Sequence, residues 1–370
     1  MATKIISFLF NDFSNDIRVL KENTSLQRAG FDVTLVATCG NNLPSKEVVN
    51  KVPVLRVKTN YIPILPVELL IFWIKCVLRY RKEYLFHCND LYTLPIGAFI
   101  KLLNKKAKFV YDCHEYETEV HILNKAPLLK IIAKIVERLL IRYADAVITV
   151  SGHIAEEYVK NYGIPKPRLV LNCPNYHDYQ KKDLLRLKYK ISQNTKIVLY
   201  QGEYRQGRGL EEILDAFSRI ENDHFAMVFL GYGNSDKIVD AAKRCKNIFI
   251  HPKVGVSEYM DYVCSADFGI HLMKNTCLNH DYALPNKLFE YLMGGIPVIV
   301  SSLTEMKKFV KEYNVGFVLE ENTSQGLIDV LKRIENTDLT EIRKNVHETA
   351  KKYCWENQET NLIETYKSLI

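Results

Sequence analysis

The sequence predicts an α/β protein made of two Rossmann-like, doubly wound parallel-sheet domains that face each other across a cleft. Three observations predict it. The chain has 370 residues, too many for one ordinary core and suited to two domains. Its composition, 47% hydrophobic and 25% charged, is that of a globular protein without a fibrous or disordered bias. Short apolar runs alternate with helical patterns along the whole length, as in successive βαβ units.

The first such unit sets the pattern. Residues 4–10 read as a strand, and a helical pattern follows through Val19, Leu20, Leu26 and Ala29. Gly30 stands where that helix should stop, and residues 33–36 read as the next strand. Further strands are expected at 85–87, 109–111, 146–150 and 169–171. Residues 176–194 are polar and mixed, including the run Gln180-Lys181-Lys182-Asp183, and read as a linker. A second series follows at 197–200, 226–230, 248–250, 268–272, 298–301 and 316–319. Open parallel sheets bind ligands beyond the carboxyl ends of their strands, so the cleft is the expected site.

Charge and cysteine content narrow the function. A formal net charge of +7 suits acidic small molecules or an anionic membrane surface and falls short of a nucleic-acid binder's dense basic footprint. The nine cysteines are scattered, with no C-x-x-C pair. They read as free thiols of a reducing, cytoplasmic compartment, with neither a disulfide framework nor a zinc site. The opening apolar run is too short for a secretory signal. The longest apolar stretch, residues 61–78, carries Pro63, Pro66, Glu68 and Lys75, so it does not read as a membrane span. Two basic helical segments are expected instead to touch the inner face of the membrane. One holds Lys130, Lys134, Arg138 and Arg142 at a spacing of four, and the other runs over residues 67–84 with Lys75, Arg79, Arg81 and Lys82. The plainer reading of both is a solvated helix face.

The sharpest chemical signal is Leu284-Pro285-Asn286-Lys287-Leu288-Phe289-Glu290-Tyr291, closed by Gly294-Gly295-Ile296-Pro297-Val298. Pro285 suits the opening of a helix. The N-terminus of that helix offers free N–H groups and the positive end of a dipole to an anion. Lys287 adds a full charge there, and Glu290, one turn on, can accept two hydrogen bonds from a ribose diol. A second signal is the strand-to-helix loop Gln201-Gly202-Glu203-Tyr204-Arg205-Gln206-Gly207-Arg208-Gly209, where glycines admit phosphate and an arginine can bridge its oxygens. Leu230-Gly231-Tyr232-Gly233 is a glycine turn at a strand end. In the first half, the loop at 11–18 lacks Gly-x-Gly-x-x-Gly, which argues against a nicotinamide or flavin site. Asp16 and Arg18 in Asn15-Asp16-Ile17-Arg18-Val19 stand at a strand's carboxyl end, with helix capping as the plainer role of Asp16. Asp112-Cys113-His114-Glu115 follows another strand, and His87 and Asp90 are lesser candidates.

The run from Pro285 to Val298 resembles the nucleotide-binding signature of the retaining GT-B glycosyltransferases, in the large family typified by sucrose synthase and bacterial lipopolysaccharide transferases (glycosyltransferase group 1). Glu290, Gly295, Pro297 and Val298 match its second glutamate and its tail. Its first glutamate is replaced by Tyr282, with Asp281 adjacent. The loop at 202–209 resembles the family's diphosphate grip, with Arg208 at the lysine position. Glu203 stands at the arginine position, with Arg205 as its substitute. His251-Pro252-Lys253-Val254 resembles the segment that receives the base. His114 resembles the histidine that meets the donor sugar's outer hydroxyl, and residues 355–370 resemble the closing helix that returns to the N-terminal domain.

The resemblance implies a hexosyltransferase of retaining type that uses a nucleotide-sugar donor, and because no acidic cluster such as Asp-x-Asp precedes a donor site, no essential metal is expected. The acceptor would be a glycan or lipid-linked oligosaccharide in polysaccharide biosynthesis. The implied domains are 1–175 with 355–370 for the acceptor and 195–354 for the donor. Catalytic candidates are His114, Arg208, Lys287 and Glu290. Donor-binding candidates are Gly202, Arg205, Arg208, Gly231, Val254 and Tyr282, together with Leu284, Pro285, Asn286, Lys287 and Glu290. Acceptor-binding candidates are Asp16, Arg18, His114 and Glu115. A sugar-nucleotide epimerase, a phosphorylase or a non-catalytic sugar-nucleotide binder would use the same architecture.

Overall fold

A computed structural model describes residues 2–40, 43–59, 64–178 and 180–370. The start of the apolar stretch expected at 61–78, and Tyr179 of the expected linker, lie outside the described residues. The chain forms two compact units. One comprises Met1–Leu171, Cys277–Asn279 and Gln358–Ile370, and the other Asn172–Thr276 and His280–Asn357.

The first unit holds an eight-stranded sheet of β1 (Lys4–Phe8), β2 (Asp32–Thr38), β3 (Lys46–Val49), β4 (Val52–Val57), β5 (Leu85–Asn89), β6 (Lys108–Cys113), β7 (Ala146–Thr149) and β8 (Arg168–Leu169). The strand order is β3-β4-β2-β1-β5-β6-β7-β8. All neighbours pair in parallel except β3 with β4. That antiparallel hairpin goes unnoticed in the sequence. Its turn residues, Asn50 and Lys51, have φ of 48° and 71°. Positive φ at both central positions is what a two-residue hairpin turn requires, and the lysine hides a signal that Asn-Gly would give.

The second unit holds a six-stranded parallel sheet of β9 (Lys196–Tyr204), β10 (Phe225–Gly233), β11 (Ile248–Pro252), β12 (Phe268–His271), β13 (Val298–Ser301) and β14 (Gly316–Leu319). Its order is β11-β10-β9-β12-β13-β14. In each sheet the winding reverses once, between β1 and β5 and between β9 and β12. A crevice forms beyond the strand ends at such a reversal, because the flanking connections leave on opposite faces.

Residues 176–194 are not a free linker. They carry helix Leu184–Tyr189 and belong to the second unit. Arg186, only 5% exposed, pairs with Asp267 at 3.0 Å and donates to the Thr195 carbonyl at 2.9 Å. Lys181 reaches the same aspartate at 2.9 Å. Charges of the expected linker are therefore paired with a carboxylate distant in the chain. At the other end, helix Trp355–Lys367 contributes Gln358 and Glu359 to the first unit. Gln358 accepts from the Leu171 amide at 3.0 Å, and Glu359 accepts from Arg28 at 2.6 Å.

Candidate functional site

In the second unit the sequence builds its helix where expected. Helix Asn286–Met293 starts directly after Pro285, whose φ of −73° and ψ of 148° are extended. Gly294 ends it, and Gly295, at φ 73°, turns the chain towards β13. The buried face of the helix fixes its rotation. Tyr291, fully buried, donates its hydroxyl to the Ile270 carbonyl at 3.2 Å and accepts from the Gln201 amide at 3.1 Å. The helix is thereby locked to the ends of β12 and β9, with Lys287 and Glu290 on the side facing the β9 loop.

Lys287 lies with its ammonium 4.4 Å from the centre of the Tyr200 ring, a cation–π contact. Burial and the nearby Arg208 charge push its pKa down to about 7. Gly202 makes this approach possible. A Cβ there would stand 2.8 Å from Lys287 Cε, and its φ of 105° is one that L side chains rarely adopt. On the neighbouring strand Gly231 leaves room for the Gly202 carbonyl, which a Cβ would meet at 1.9 Å. Arg208 donates to Met273 Sδ at 3.2 Å, a partner that leaves its charge unneutralised. Beside them His271, 1% exposed, has no hydrogen-bond partner on either ring nitrogen among the described residues. Burial, Lys287 and Arg208 hold it well below the usual histidine range, hence neutral. Two cations, an orphaned imidazole and a helix N-terminus thus converge at the β9/β12 reversal. The arrangement can stabilise a dense negative charge.

Glu290 accepts a hydrogen bond from the Gln201 side chain and interacts with the Tyr259 hydroxyl. Asn286 is exposed, and Tyr282, Leu284, Pro285 and Val254 are half-buried. Arg205 is exposed and pairs with Glu203 at 3.1 Å.

In the first unit the sequence candidates form a different kind of cluster. Asp16 is the N-cap of helix Ile17–Arg28, accepting from the Val19 amide at 3.1 Å. The plainer reading of Asp16 therefore accounts for it. Arg18, expected to meet the acceptor, is 5% exposed and is spent inside the fold. Its guanidinium lies 3.2 Å from Asp112 and 2.9 Å from Glu22 and donates to the Val170 carbonyl at 2.9 Å. Desolvation drives this, because a buried guanidinium must find carboxylate and carbonyl partners or cost several kcal/mol. His114 caps the cluster towards solvent. Its Nε2 lies 2.9 Å from Asp112 and its Nδ1 3.2 Å from Asp90. Burial alone would lower His114, but Asp90 and Asp112 outweigh it and hold it well above the usual histidine range. Burial alone would raise Asp112, but Arg18 and His114 hold it well below the usual carboxylate range. Glu117 is raised by burial and by the Asp90 charge. Glu115 is exposed and accepts from Asn279 at 3.0 Å. With both nitrogens given to carboxylates, His114 is an imidazolium and has no lone pair with which to take a proton.

Residues 21–173 match the family Glycosyltransferase Family 4, and residues 181–353 match Glycosyl transferases group 1. Both halves of the chain thus match glycosyltransferase families, and the chain is a glycosyltransferase of GT-B fold. Among curated proteins this glycosyltransferase is similar to N-acetyl-alpha-D-glucosaminyl L-malate synthase of Bacillus anthracis. The two are 22% identical over 300 residues, 78% of this chain and 75% of the other. Among solved structures it resembles sucrose-phosphate synthase from Thermosynechococcus elongatus, at a TM-score of 0.79 with 17% identity and 99% of both chains covered. It also resembles HepE of Anabaena in complex with UDP-glucose, at a TM-score of 0.73 with 15% identity and 99% of both chains covered.

Against the family signature, the structure shows what the two departures do. Asp281, adjacent to the substituted Tyr282, accepts from the amide and hydroxyl of Thr304 at 3.1 and 2.7 Å. It is committed to the start of helix Thr304–Tyr313 and does not replace the absent glutamate. Arg205 forms only an exposed surface pair with Glu203. Sequence reasoning missed Glu22, Gln201, Tyr259 and His271. The i,i+4 spacing of Arg18 and Glu22 was a usable signal. A histidine inside the apolar run 268–272 was another, because an isolated polar residue in a buried strand demands a reason.

Proposed function

We propose that the chain transfers a hexosyl group, with retention, from a nucleoside diphosphate sugar to a hydroxyl of a growing, lipid-linked glycan at an anionic membrane. The convergence of Lys287, Arg208 and the start of helix Asn286–Met293 is the observation that supports this reading most. The hard step is departure of the diphosphate while positive charge develops on the sugar. Preorganised cations and helix N–H groups aimed at the diphosphate lower that barrier without reorganising. Glu290 would hold the ribose diol, releasing the Gln201 amide as it does so. The site offers fixed positive charge in the place where other transferases use a divalent ion, and we propose that no metal is essential. In the first unit, Asp90 and the His114 imidazolium form the solvent-facing end of the buried cluster and are assigned to sugar hydroxyls.

A panel of sugar nucleotides read by thermal shift tests the donor class, since a ligand at a hundredfold its Kd adds about 2.7 kcal/mol to stability. No shift with any member would sink the reading. Glu290→Ala removes hydrogen bonds to a charged acceptor, each worth about 1.5–3 kcal/mol. Calorimetry should therefore show donor affinity falling roughly tenfold to a hundredfold while acceptor affinity holds. An unchanged donor Kd removes Glu290 from the site.

A further inference from the structure

Helix Pro127–Leu140 is inside out. Its one fully buried side chain is an acid: Glu137, 0% exposed, accepts from the hydroxyls of Tyr111 at 2.8 Å, Tyr158 at 2.9 Å and Tyr162 at 2.5 Å. Its apolar side chains Leu128, Leu129, Ile131, Ile132, Ile135 and Leu139 are instead about half exposed or more, Leu128 reaching 71%. A surface helix ordinarily turns such a stripe onto the core. Here a buried polar anchor holds the stripe outward. Lys130 and Lys134 reinforce the anchor, each 2.6 Å from Glu119. The expected lipid-facing stripe of Lys130, Lys134, Arg138 and Arg142 is thus modified: the two lysines pair with Glu119, Lys134 while still exposed, and the outward face is mostly hydrocarbon.

The neighbouring helices continue it. Helix Asp90–Leu103 packs against both Pro127–Leu140 and Leu65–Tyr80. It exposes Phe99, Leu102 and Leu103 at spacings of three and four, and Leu65–Tyr80 exposes Leu70, Ile74 and Leu78 four apart. Throughout residues 64–82, 90–106 and 125–142 no acidic side chain is exposed, whereas Arg79, Arg81, Lys105, Lys106, Arg138 and Arg142 are. From these observations we infer that the three helices form a docking face that inserts its apolar side chains among the lipids of an anionic bilayer, with the cations meeting headgroup phosphates. The rim decides the occupant. A second copy seated face to face would bring these like charges together, whereas an anionic bilayer neutralises them and accepts the hydrocarbon. Among the described residues no helix is long and apolar enough to cross a membrane, so the contact is a surface one.

This inference rests on the proposed membrane-side acceptor for its purpose, and its test does not depend on transfer. The full chain is sedimented with vesicles of three parts phosphatidylcholine to one part phosphatidylglycerol, with pure phosphatidylcholine as the comparison. Wild type should bind the anionic vesicles and retain part of that binding in high salt, because burial of hydrocarbon is not screened. Ile131→Gln/Ile135→Gln/Leu139→Gln should bind at least about tenfold more weakly, with thermal transition and donor binding unchanged. Trp73 lies on Leu65–Tyr80, and Trp355, the other tryptophan, is 2% exposed. Brominated phosphatidylglycerol should therefore quench Trp73 in wild type. Absent vesicle binding, undiminished binding by the triple variant, or a dimer that the variant dissolves without lipid would each overturn the docking face. A chain that binds donor but not vesicles keeps its proposed chemistry and loses only this surface.

Discussion

Lys287→Ala is expected to lower turnover by about 10²–10³-fold, the loss typical when one preorganised donor to a developing negative charge is removed. Donor affinity should fall less, because Arg208 and the helix start remain. A pH signature distinguishes this role from simple packing against Tyr200. In the free protein the Lys287 pKa is lowered to about 7 by burial and by Arg208. A bound diphosphate favours the charged form and raises it again. Donor binding should therefore take up a proton above about pH 7, and donor affinity should fall as pH rises through that value. Calorimetry in buffers of different ionisation enthalpy measures the uptake directly. If the uptake survives in Lys287→Ala, the lysine is not the group that senses the phosphate.

Asp112→Ala is expected to destabilise the first unit by roughly 3–5 kcal/mol, because it strips the buried Arg18 and His114 of a shared partner. In a unit of this size that lowers the corresponding melting transition by about 10 °C. The pH dependence has a definite sign. Asp112 is held below its ordinary value, so its contribution is complete above about pH 4 and is lost as pH falls through its folded value. His114 is raised, so its contribution is complete below about pH 6.5 and is lost as pH rises through its folded value. Glu117, also raised, adds to the loss on the alkaline side. The first unit should be most stable near about pH 4–5, because the Glu117 loss begins above its ordinary value of 4.5, and the further fall above about pH 6.5 should shrink in Asp112→Ala. Scanning calorimetry across pH shows this, and a transition insensitive to pH there would mean that His114 is not charged.

Local sequence was enough wherever a residue's neighbours in the chain dictate its conformation. Pro285 before Asn286 and Gly294-Gly295 after Met293 set the helix bounds, and short apolar runs announced every strand of both sheets except β3 and β4. The short hairpin of β3 and β4 escaped because its turn carries Asn50-Lys51 with no glycine. The phosphate-type features of the second unit were legible for the same reason, since Gly202, Arg208, Lys287 and Glu290 are each defined by a strand end or a helix start. What only the tertiary structure decided is which charges remain available. Arg18 pairs with Glu22 and Asp112, Asp281 is hydrogen-bonded by Thr304, Arg205 pairs with Glu203, and Lys130 and Lys134 share Glu119. Burial makes pairing compulsory for Arg18, and its partner Asp112 lies far along the chain. The facing of helix Pro127–Leu140 was equally beyond local pattern, because it is set by three tyrosine hydroxyls from β6 and from residues 158 and 162. Periodicity marks a helix's two faces, but only the polar groups waiting in the core decide which one turns inward.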